Sequence, residues 1–156
     1  MRLLLRANAH RAVDGGVEVA ASPDTPTRPD PWAWQIRLHH TSPASPASDG
    51  GASVALGAGG RWHSLRVDTD PALVRPELQV LRLEGTTEVR RDEADLVALV
   101  VTDGSALVED RHALATGDAM VFTGDDPLAV RTTAPGGEVV LVRLRPVSDV
   151  EVGWVP

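Results

Sequence analysis

Between Leu96 and Pro146 the chain is a succession of short apolar runs cut by tight-turn residues. LVALVVT (96–102) ends in Asp103-Gly104, SALVE (105–109) in Asp110-Arg111, and HALAT (112–116) in Gly117-Asp118. AMVFT (119–123) and PLAVRTT (127–133) follow, then Pro135-Gly136-Gly137 and EVVLVRLRP (138–146). Turn signals separated by about 8 to 12 residues, between β-branched runs and without helical periodicity, predict an all-β fold, an antiparallel sandwich or barrel. A barrel of this size either fills its interior with side chains or keeps one small-molecule cavity.

The first half is less regular. Arg2 to Ala7 reads as a strand, Val13 to Gly16 as a turn and Val17 to Ala21 as a second strand. The proline-rich stretch Ser22 to Pro31 is a loop. WAWQIRLHH (32–40) alternates, with Trp32, Trp34, Ile36 and Leu38 on one face and Ala33, Gln35, Arg37 and His39 on the other. Thr41 to Gly60 is Ser/Ala/Pro/Gly-rich and reads as a flexible surface loop or a degenerate strand pair around Ser53 to Leu56. Strands are expected at Arg61 to Val67 and Glu77 to Leu83, with a proline break at Pro71 to Pro76 and a solvated hairpin or loop at Thr86 to Ala94. Neither a repeat nor a second domain is evident, so residues 1–156 read as one domain.

Apolar residues make up 42% of the chain, enough for a core. The net charge is −7 and no basic stripe is present, which argues against nucleic acid or an anionic membrane as partner. The absence of Cys excludes disulfides and thiolate chemistry, and the absence of Lys excludes a Schiff base. Leu3 to Leu5 is too short for a signal peptide, so a cytoplasmic protein is expected.

The five histidines are His10, His39, His40, His63 and His112. His39 and His40 are adjacent and diverge on a strand, and no H-x-H-x(3,4)-E run exists, so neither metal nor cofactor is expected. Distant His39, His63 and Glu18 could still converge in a lumen. Gln35, Arg37 and His39 form either the lumen-facing side of a barrel, with Arg37 as a fork for a carboxylate, or the wet face of an antiparallel strand. Trp34 and Trp62 are expected in the core, and Trp154 at the C-terminus or in a dimer contact. Asp92-Glu93 and Asp125-Asp126 lie in turn contexts, and Asp118 is expected to cap its turn. Ser64 beside His63 diverges from it and lacks a nucleophile-elbow context, so a hydrolase triad is excluded.

Leu114-Ala115-Thr116-Gly117-Asp118-Ala119 matches the L-x-x-G-D turn of a cupin half-barrel. Together with Gly15-Gly16-Val17-Glu18 and Pro31 to Leu38, it resembles the HutD/Ves family of cupins. Gly15, Gly16, Glu18 and Trp34 match the family's opening, whereas Gln35 stands where the family has Arg and Arg37 where it has Ser. The Trp before the Gly-Gly turn and the later G-x-F-S sequence are missing. The resemblance covers residues 12–40 and 96–146. It implies a divergent, shortened member with a cupin-like antiparallel β-barrel, or jelly roll, of two halves. It further implies a non-catalytic small-molecule-binding or regulatory protein, linked to histidine or amino-acid metabolism. A small polar or acidic metabolite, such as a formylated or formimidoyl amino acid, would bind near Glu18, Gln35, Arg37, His39 and His63. Homodimerisation through sheet edges is expected. The alternatives are a metal-independent isomerase or epimerase with His39 or His63 as base, and an interaction module with a filled barrel.

Overall fold

The computed structural model describes residues 2–22, 33–41, 49–90, 92, 95–124, 128–132 and 137–147. Its strands, numbered along the chain, form three antiparallel sheets. The central sheet has the order β1 (Arg2–Leu5), β12 (Ala119–Phe122), β9 (Leu96–Asp103), β14 (Gly137–Pro146), β7 (Val74–Leu83). The first outer sheet runs β2 (Arg11–Val13), β3 (Gly16–Ser22), β4 (Trp34–His39), β6 (Ser64–Thr69), β5 (Ala52–Ala55). The second outer sheet runs β11 (His112–Ala115), β10 (Ser105–Val108), β13 (Leu128–Thr132), β8 (Thr86–Val89). The architecture is an all-β jelly roll.

The central sheet has two buried faces. Along β9, Leu96, Ala98 and Val100 enter a core shared with the first outer sheet, and Val97, Leu99 and Val101 enter a core shared with the second. Strands β12 and β14 divide their residues the same way, with Val140 and Val142 on one side and Val139 and Leu141 on the other. A strand buried on both faces has no polar side, which is why LVALVVT reads as a continuous apolar run. The first outer sheet closes its core with Trp34, Ile36 and Leu38 from β4, and Leu65 and Val67 from β6. The second does so with Ala106, Val108, Leu128 and Val130.

Four segments differ from the sequence expectation. Strand β7 starts at Val74 and runs through Pro76, which is opposite Leu144. Proline is tolerated there because β7 is an edge strand whose outer side needs no ladder bond. Strand β6 starts at Ser64, so Trp62 and His63 precede it. Thr86–Val89, expected in a solvated hairpin or loop, is a strand paired with β13. After β1 the chain makes a single 3-10 turn, Ala7–Ala9. Two glycines fix close approaches: a Cβ on Gly16 would lie 1.9 Å from the Leu38 carbonyl oxygen, and Gly117 has φ +89°. Trp32, Glu93, Asp125, Asp126 and Trp154 lie outside the described residues.

Candidate functional site

The alternation of β4 places Trp34, Ile36 and Leu38 in the first core and turns Gln35, Arg37 and His39 to the opposite face. That face is the outer side of the first outer sheet, not a space between sheets. It is not a wet face either: Gln35 is 3% exposed and His39 7%. On the neighbouring strands Glu18 and Arg66 flank Arg37, Asp68 stands opposite Gln35, and Ser64 stands opposite His39. Glu18 reaches this face through an irregularity in β3, where the pairing with β4 slips between Glu18 and Ala20. The extra residue, Val19, stays in the core while Glu18 turns outward.

Two carboxylates organise the cluster. Glu18 accepts a hydrogen bond from Gln35 Nε2 and pairs with Arg11 Nη1 at 3.3 Å. Asp68 accepts from Arg66 Nε and Nη2 at 2.8–2.9 Å and from Arg37 Nη2. Arg11, Arg37 and Arg66 against Glu18 and Asp68 leave one net positive charge. Burial lowers the His39 pKa, and the Arg37 and Arg66 charges lower it further, so the imidazole is neutral at pH 7.

Among the described residues, four buried polar atoms on this face have no hydrogen-bond partner: Gln35 Oε1, Arg37 Nε, His39 Nε2 and Ser64 Oγ. They come from three successive outward residues of β4 and the residue of β6 opposite the last. Buried polar groups are almost always paired, so an unpaired row is a chemical signature.

Of the five expected site residues, Glu18, Gln35, Arg37 and His39 are together. His63 is exposed just before β6, its amide donating to the His39 carbonyl at 2.8 Å. Beside it His40 stacks on Trp62, with ring centroids 4.3 Å apart, and Arg61 lies 5.1 Å from the Trp62 ring. Trp34 and Trp62 are both in the first core. Arg66, Asp68 and Ser64 were not anticipated as site residues; the period-2 pattern of RWHSLRVD carried the signal, but only the β4–β6 register shows which face it shares. No group of three His, Asp or Glu suited to a metal ion occurs among the described residues.

Glu18 also borders a cleft of about 280 Å3 between β1, the 3-10 turn and the β2–β3 hairpin. Asp118 anchors that turn: its carboxylate accepts from the Ala7 amide at 2.9 Å, the Ala115 amide at 3.0 Å and Arg6 Nη1 at 2.7 Å.

Among solved structures, the chain is similar to a conserved protein of unknown function, PA5104, from Pseudomonas aeruginosa PAO1. The identity is 18% and the TM-score 0.69, over 94% of this chain and 100% of that one. It is also similar to HutD from Pseudomonas fluorescens SBW25, solved in a formate condition, at 14% identity and a TM-score of 0.63, over 95% and 100% of the two chains. No family model and no curated protein matches the sequence. The fold is therefore the one that HutD adopts, as the Gly-Gly and Gly-Asp motifs had implied.

Proposed function

We propose that the chain is a non-catalytic small-molecule-binding or regulatory protein whose ligand is a small acidic metabolite docked on Gln35, Arg37, His39 and Ser64. The row of four buried, unpartnered polar atoms carries this reading. Each such group costs about 1–3 kcal/mol while unsatisfied, so a ligand that pairs them has a large drive to bind. Arg37 Nε and Ser64 Oγ donate, Gln35 Oε1 accepts, and His39 Nε2 does either according to its tautomer. Glu18 holds the Gln35 amide so that its oxygen is the atom presented. A carboxylate meets the donors, and an N–H of the same ligand meets Gln35. A formylated or formimidoyl amino acid has both groups. The resemblance to the HutD/Ves family is what suggests this ligand class and a place in histidine or amino-acid metabolism. His63, beyond the end of the row, touches only a ligand extending past His39.

Calorimetric titration with N-formyl-L-glutamate and with formate tests the reading. The expected result is saturable binding, weakened at least tenfold in Arg37→Ala, with the ligand recovered unchanged. Affinity indifferent to Arg37→Ala overturns it.

One observation favours a second reading, a metal-independent isomerase or epimerase. The His39 imidazole is held neutral by burial and by the Arg37 and Arg66 charges, and its Nε2 makes no bond. This is the state a general base requires. It predicts exchange of a ligand C–H proton with deuterated solvent that disappears in His39→Gln.

A further inference from the structure

We infer, on the reading of Gln35, Arg37, His39 and Ser64 as one ligand site, that the acidic ligand enters it together with a proton, taken up by the His39 imidazole, so that binding strengthens as the pH falls. His39 Nε2 is buried and, among the described residues, has no hydrogen-bond partner. It stands at the end of the row. Ser64 lies directly opposite on β6, and Arg37 is the next outward residue of β4. A carboxylate that accepts from Arg37 Nε and Ser64 Oγ therefore lies beside the ring.

In the free protein the surroundings of the ring favour its neutral form. Burial acts first, then the cations Arg37 of β4 and Arg66 of β6; Asp68 of β6 opposes them, and His40, the next residue, adds to them. Of the other charged groups on this face, Glu18 of β3 and Arg11 of β2 pair with each other, and Glu18 also takes the Gln35 amide. His63, just before β6, is exposed. An incoming carboxylate reverses the balance. Its charge offsets Arg37 and Arg66, and its oxygen accepts a hydrogen bond from Nε2–H; both favour the imidazolium. A ring that is neutral in the free protein and charged in the complex binds a proton with the ligand. The gain in affinity is complete below the pKa of the free ring and is lost as pH rises through the pKa of the complex. Between the two, affinity changes by at most about tenfold per pH unit.

The test is calorimetric titration of the full chain with N-formyl-L-glutamate between pH 5 and pH 8, in buffers of different ionisation enthalpy, so that the heat reports the protons taken up. The expected result is proton uptake on binding, and affinity at least about fivefold tighter at pH 5 than at pH 8. His39→Gln keeps an N–H at the end of the row. It should bind within about threefold of the parent at pH 8, with no proton uptake and no rise toward pH 5. Imidazole nitrogen NMR shifts of the parent supply a readout that does not depend on the variant folding: ring 39 should be neutral in the free protein and charged in the complex at the same pH. Binding without proton uptake, uptake that persists in His39→Gln, or a ring 39 that stays neutral in the complex each overturn the inference and leave the ligand site standing. No binding at any pH removes both.

Discussion

Asp118 joins the Arg6–Ala7 segment to its own turn with one carboxylate. Its burial alone would raise its pKa, but the Ala115 and Ala7 amides and the Arg6 guanidinium outweigh that and hold it below the usual 3.8. A carboxyl depressed in the folded state adds stability above its unfolded pKa, and the contribution is lost as pH falls through the folded value. Asp118→Asn is therefore expected to destabilise the protein at pH 7 by about 2 kcal/mol, the scale of hydrogen bonds to a charged group. Urea melts of variant and parent should converge as the pH drops below about 4. At this scale the sequence was readable where contacts are local. The Gly117-Asp118 turn was expected to be capped by Asp118, and the Ala115 amide it binds is three residues away. The Arg6 contact was not visible, because 112 residues separate the pair. The site divides likewise: Gln35, Arg37 and His39 followed from alternation within one strand, whereas Asp68 and Arg66 depend on a register set across the intervening 40–63 segment. His63 was grouped with them because RWHSLRV was read as one continuous strand.

The hairpin joining β10 to β11 shows how one element can be strained and held. Glu109 and Asp110 have φ of +51° and +55°, the left-handed region that costs a residue with a Cβ about 1–2 kcal/mol. Glu109 is kept there by Arg2 of β1, whose Nε and Nη2 donate to its two carboxylate oxygens at 2.7 and 2.5 Å. The hairpin of the second outer sheet is thus tied to the edge of the central sheet. Among the described residues, Asp110 has only an exposed pair with Arg131 at 2.7 Å, worth at most about 1 kcal/mol. Replacing Asp110 with Gly relieves the strain, and the expected gain is about 0.5 kcal/mol, or about 1–2 °C in Tm by differential scanning calorimetry. Glu109→Gly relieves the same strain but removes the Arg2 clamp, so it should not stabilise. The positions of most strands were legible from turns and alternation. At the start of β7 and in β8, proline or charge suggested a break or loop, and edge position made a strand acceptable.

For the whole molecule, the decisive feature is a sheet with a core on each side. Because β9, β12 and β14 contribute alternate residues to both cores, neither core can come apart without exposing the reverse of the same strands. Ile36→Ala in the first core and Leu128→Ala in the second, both fully buried, should each cost about 2–5 kcal/mol. Each is expected to shift one shared unfolding transition, with circular dichroism and tryptophan fluorescence giving the same midpoint. Two resolved transitions would mean the halves are energetically separate. The layering itself was not legible: the two-sided burial of LVALVVT leaves a mark in the sequence, but which sheets cover it depends on pairings between distant strands.

The order of the central sheet also bears on how the protein is made. Its strands, β1-β12-β9-β14-β7, draw on the first strand of the chain and the last. A ribosome releases β1 long before the partners that flank it, and β9 emerges without β12 or β14 to cover its two apolar faces. Both cores therefore stay open until translation has passed Pro146, and the nascent chain carries β9 uncovered until β12 and β14 have followed it.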